Sequence, residues 1–180
     1  MITTRMLISL VIALISTGTY AQRYILDKGH VTLFSEAPIE NISANNKKID
    51  GIFVPSIERV AFVVVVKDFE FTNKLMQEHF NDKYMESYKF PMSNFSGRII
   101  GFSENKEGIQ SVRAVGKLTI HGITREIDVP GTVEVEHDSI SMKSKFKILL
   151  KDYNIEIPKL LWKNISEDVE LTIDLTYKKQ

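Results

Sequence analysis

The sequence predicts an all-β, antiparallel domain of about eight strands with one short helical interruption, and three observations lead there. From Tyr24 onward apolar and polar residues alternate with a period of two, as strands with one buried face require. Turn-forming clusters separate several of these runs: Asp27-Lys28-Gly29, Asn45-Asn46 and Asn105-Lys106-Glu107-Gly108. Only Asn73 to Phe80 has helical spacing, with Leu75, Met76, His79 and Phe80 on one face behind a capping Thr72 or Asn73.

The chain opens with a segment expected to lie outside the fold. Met1 to Ala21 holds one charge, Arg5, then the apolar run Met6 to Ile15, then small and polar residues ending Thr19-Tyr20-Ala21. This is the three-part layout of a secretory signal, with cleavage expected after Ala21 and a single domain over residues 22–180. A helix of about ten apolar residues spans about 15 Å, half of a bilayer's hydrocarbon core, so no stable membrane anchor is expected once the signal is removed. Export without cysteine points to a bacterial periplasm or a secreted bacterial protein.

The strands follow in order. Val31–Ala37, Lys47–Val54, Arg59–Phe71, Phe95–Ser103 and Ile109–His121 are expected first. The run Val60 to Val66 is apolar on both faces, so something should cover its outer side, and the Asn73–Phe80 helix is the candidate. The clearest alternation runs from Glu126 to Glu136, with Ile127, Val129, Gly131, Val133 and Val135 on one face. After a His137-Asp138 turn, Ile140, Met142, Ser144, Phe146 and Ile148 alternate with Ser141, Lys143, Lys145 and Lys147. That pattern predicts a hairpin whose acidic residues face its lysines across the solvent side. In the last strand Val169, Leu171, Ile173, Leu175 and Tyr177 point inward. Such strands can close as a barrel or stack as a sandwich, and periodicity does not choose between them.

Composition removes several function classes. The 180 residues carry 23 basic and 23 acidic side chains, a net charge of zero, where a nucleic-acid binder would concentrate basic charge. With no cysteine there is no disulfide framework, thiol nucleophile or thiolate metal site. His30, His79, His121 and His137 have no metal-ligand spacing, so no metal or cofactor is expected. No Gly-x-Ser-x-Gly elbow or other nucleophile setting appears, and an enzyme is not expected. Met76, Met85 and Met92 read either as an adaptable ligand surface or as core gap-fillers.

The order of several blocks resembles the YceI-like proteins, bacterial periplasmic or secreted domains associated with polyisoprenoid or other lipid binding. The blocks are Gly116-Lys117-Leu118-Thr119-Ile120-His121-Gly122-Ile123-Thr124-Arg125; Phe69-Glu70-Phe71 leading to Leu75-Met76-Gln77-Glu78-His79-Phe80, then Tyr84-Met85-Glu86-Ser87 and Phe90-Pro91; and Leu150 to Pro158. They span the chain from about Tyr24 to Tyr177. The resemblance implies an extended, lipocalin-like antiparallel barrel with a helical insertion, holding an isoprenoid or other lipophilic small molecule. The expected lining is Phe62, Phe95, Leu118, Ile120, Val133, Met142, Phe146, Leu171 and Ile173. Phe34 and Phe102 could likewise line a tunnel or fill it. His121 reads as a head-group contact at the mouth or as a turn histidine bonding backbone, and Arg125 as a phosphate contact or as the partner of Asp128 or another surface carboxylate. The leading function is an exported carrier; the alternative is a ligand-free periplasmic interaction or stress-response domain.

Overall fold

The computed structural model describes residues 22–36, 41–157 and 166–180. The expected signal segment therefore lies outside the described residues. The strands are β1 (Tyr24–Ser35), β2 (Ile42–Asn46), β3 (Ile49–Val54), β4 (Arg59–Val65), β5 (Glu70–Phe71), β6 (Met92–Ile100), β7 (Gly108–Ile120), β8 (Ile123–Glu136), β9 (Ser139–Leu149) and β10 (Asp168–Lys179). They form one antiparallel sheet that closes through β10 and β1, paired from Tyr24↔Lys179 to Phe34↔Glu170. β2 and β3 act as one bent barrel strand, β2 pairing the second half of β1 and β3 its first residues, so the wall is an eight-strand barrel. The barrel, not the sandwich, is the solution.

The two ends of the barrel differ. At one end Phe53 packs edge-on against Phe102, ring centroids 5.3 Å apart, and lies 6.2 Å from Tyr177. With Tyr24 and Ile140 these rings make a fully buried aromatic plug. Buried Gln110 pins the loop that delivers Phe102: its amide donates to the Ser103 and Lys106 carbonyls, and its carbonyl accepts from Ser103 N–H. At the other end the chain between β4 and β6 folds across the opening. Helix α1 (Lys74–His79) starts where the Asn73 side chain accepts from Leu75 N–H and Met76 N–H, and a π-turn over Phe80–Tyr84 follows it.

Several expectations change in the fold. Asp27-Lys28-Gly29 is not a turn but a bulge inside β1, where the pairing shifts between Leu26↔Tyr177 and Lys28↔Thr176. The expected strand over Arg59–Phe71 breaks at a 3-10 turn, Val66–Asp68, which swings Phe69 and Phe71 out of the wall and onto the cap. The helix packs there, with Phe80 5.5 Å from Phe69 and 4.9 Å from Phe71, and does not cover the outer face of β4. Ala61, Val63 and Val65 on that outer face stay half-buried.

The β8–β9 hairpin also differs from its expected charge pattern. Its register sets Glu134 opposite Ser141 and Glu136 opposite Ser139, so no acidic residue of β8 faces a lysine of β9. The lysines pair across the other edge: Lys143 with Asp174, Lys145 with Glu170 and Lys147 with Asp168. The Lys147 ammonium, with Ser166 Oγ, holds the Asp168 carboxyl below the usual carboxylate range.

Candidate ligand cavity

Between plug and cap the barrel encloses a cavity of about 410 Å³. Its walls follow from the period-two pattern: on each strand alternate side chains point in, and those residues are mostly Val, Leu, Ile, Phe and Met. Every expected lining residue stands on this wall: Phe62, Phe95, Leu118, Ile120, Val133, Met142, Phe146, Leu171 and Ile173. Phe62 and Phe95 lie ring against ring, 5.7 Å apart. Phe95 also covers Gly97, where an added Cβ would come within 2.7 Å of the Phe95 ring; Gly97 faces Gly116 across β6 and β7. Gly116 is thus a close-approach position.

The other large residues divide between plugging and exposure. Phe102 belongs to the plug and Phe34 sits opposite Ser43 and Glu170, and neither borders the cavity. Met76 and Met85 line the cavity, whereas Met92 is exposed. Beyond that list, Val60, Val64 and Val112 of the wall, Leu150 and Ile155 of the segment after β9, and the cap residues Phe69, Phe71, Phe80 and Tyr84 line the cavity. The signal of the cap residues was present as aromatic residues spaced by two or four around Phe69, but a period cannot say that a strand has left the wall. Burial raises the pKa of the Tyr84 hydroxyl.

Few polar groups reach this space. Ser35, His79, Ser93, Asn94, Thr132, Lys143 and Ser144 border it. Ser35 Oγ is buried without a hydrogen-bond partner. Among the described residues no three His, Asp or Glu side chains gather into a group that could hold a metal ion.

His121 and Arg125 stand beside the cavity rather than on its wall. His121 occupies the β7–β8 turn in a left-handed conformation, φ 51°, followed by Gly122 at φ 73°. Its Nδ1 lies 3.1 Å from the Tyr153 carbonyl and its Nε2 3.0 Å from Glu86 Oε2, and its ring stacks edge-on with Phe90. It therefore ties the turn to the cap and to the 3-10 turn Leu150–Tyr153. Arg125 Nε donates to the Asp152 carbonyl at 2.8 Å. Asp128 is taken by Arg113 of β7, whose Nε donates to Oδ1 at 2.7 Å.

A closed eight-strand barrel around an apolar, capped cavity defines a class, the small-molecule-binding barrels. The YceI-like domain model matches residues 24–177, and the chain belongs to the YceI-like family. No curated protein matches it. Solved structures share the fold. A polyisoprenoid binding domain from Saccharophagus degradans, implicated in plant cell wall breakdown, superposes with a TM-score of 0.75 at 16% identity, covering 87% of this chain and 98% of that one. Burkholderia cenocepacia BcnA gives 0.69 at 17%, covering 82% and 95%. The Campylobacter jejuni YceI protein gives 0.63 at 17%, covering 81% and 88%.

Proposed function

We propose that this protein is an exported bacterial carrier that holds a polyisoprenoid or similar elongated lipophile in its barrel. The observation that carries the reading is the apolar cavity of about 410 Å³ between the aromatic plug and the cap. An apolar cavity of about 150 Å³ takes up benzene, so this one has room for a molecule of two to three such units. Each methylene-sized group buried contributes up to about 0.8 kcal/mol before ordering and association costs, enough for micromolar binding without any charged contact. The description of the Saccharophagus neighbour as polyisoprenoid binding supports the ligand class. The Met1–Ala21 layout supports export to the periplasm or beyond. The function is binding, not catalysis, with no resident cofactor.

Mass spectrometry of lipid extracted from natively purified protein tests the ligand class. Met142→Trp and Val133→Trp should fold and lose binding of a fluorescent fatty acid, because both side chains fill the cavity. If the native protein yields no lipid and saturates with neither isoprenoids nor fatty acids, the ligand-free interaction domain replaces this reading. N-terminal sequencing of exported protein should begin at Gln22.

A further inference from the structure

We infer that the lipophile enters and leaves sideways, through an unpaired seam between β8 and β9, and not past the cap. This rests on the cavity being the ligand site. The β8–β9 ladder runs from Glu136↔Ser139 to Gly131↔Ser144 and stops there. Both strands continue: β8 stays paired with β7 down to Ile120↔Ile123, and β9 with β10 down to Asp168↔Leu149. Each is fully held by its other neighbour while the edges facing one another are unpaired.

The residue chemistry explains where the ladder ends. The next β8 residue is Pro130, which has no N–H to give a partner strand. Its carbonyl is satisfied by a side chain instead, accepting from Ser144 Oγ at 2.7 Å. Below, the seam is closed by the Arg125 Nε to Asp152 carbonyl bond. From Gly131 to Arg125 the opening runs roughly 20 Å along the strand at about 3.3 Å per residue.

Two further observations connect the seam to the cavity. Where the ladder is intact, the inward side chains Val133, Ile140 and Met142 are buried and only Val135 is half-buried; along the seam all four inward residues, Ile127, Val129, Phe146 and Ile148, are half-buried. Those four also line the cavity.

The cap offers a harder route. Opening it would separate Phe80 from Phe69 and Phe71 and release His121 from Glu86 and Tyr153. The seam has no backbone ladder to break.

The test uses the absence of native cysteine. Pro130→Cys with Lys145→Cys is bridged by a reducible bifunctional methanethiosulfonate, and stopped-flow uptake and release of dansyl-undecanoic acid are followed before bridging, after it and after reduction. Bridging should slow both rates at least tenfold, with recovery on reduction. The same bridge between Thr119→Cys and Thr124→Cys, a directly paired position of β7 and β8, should leave them unchanged. As a second measurement, a bulky maleimide adduct on Lys145→Cys should slow exchange, and one on the exposed Lys117→Cys should not. Unaltered exchange in the bridged and the Lys145-labelled protein overturns the lateral route while leaving the cavity reading intact. No saturable binding by the unmodified protein overturns both.

Discussion

The imidazole of His121 and the carboxylate of Glu86 meet at 3.0 Å across the cap end of the barrel, joining a β-turn to a segment 35 residues away in sequence. With the Tyr153 carbonyl on its other nitrogen, the ring has an oxygen partner on each side. His121→Ala leaves the Tyr153 carbonyl without its side-chain partner. Urea unfolding should show a loss of about 1–3 kcal/mol, and a loss within error would mean that solvent replaces the latch.

Gly122 lies beneath the Phe90 ring, and a Cβ built there would sit 2.6 Å from Phe90 Cε1 at a φ of 73°. Gly122→Ala should therefore destabilise by about 1–3 kcal/mol from backbone strain alone, with the ring clash added. A double-mutant cycle with Phe90→Ala separates the two contributions. The strain should persist and the clash should vanish; strictly additive losses would show that the ring moves aside freely.

Tyr177 is fully buried in the plug and its hydroxyl has no partner. Tyr177→Phe keeps the ring and removes the orphan, so thermal unfolding at neutral pH should show equal or higher stability, by up to about 1 kcal/mol.

The same burial gives a pH dependence. Burial pushes the Tyr177 hydroxyl well above the ordinary tyrosine range, and Tyr24, Tyr84 and Tyr153 are raised in the same direction, mainly by burial. A raised folded-state pKa means that the folded chain keeps its proton where the unfolded chain has lost it. Stability from these groups is complete below about pH 10 and falls as pH rises beyond it. Unfolding followed from pH 8 to 12 should show that decline, and Tyr177→Phe should flatten it. An identical alkaline decline in the variant would remove Tyr177 from the account.

Phe53 stands at the centre of the plug, packed against both Phe102 and Tyr177. Phe53→Ala should cost about 3–5 kcal/mol and extend the cavity toward the closed end. A longer fatty acid should then bind better relative to a shorter one than it does in the unaltered protein. Unchanged chain-length preference would mean that the neighbouring rings collapse into the space.

The alternation along the chain was enough to determine which side chains face inward, because a strand has only two faces and water selects between them. That is why Leu118, Val133, Met142 and Ile173 could be placed on the inner face before any strand was paired. Asp27-Lys28-Gly29 shows the limit, since a turn and a bulge use the same residues and differ only in what lies opposite. The lysines of β9 show it again. Their partners depend on register across two hairpins, and Lys145 meets Glu170 of β10 rather than an acidic residue of β8.

By itself the sequence determined an all-β chain with one helical stretch, its inward faces and its lack of thiol chemistry, all of which depend on composition and neighbouring residues. Only the tertiary structure decided that the strands close into a barrel, that Phe102 plugs one end while Phe69 and Phe80 cap the other, and that pairing between β8 and β9 ends beside Pro130. These features are contacts between residues far apart in sequence, whose free energy exists only once the sheet has closed. A local period holds no term for them.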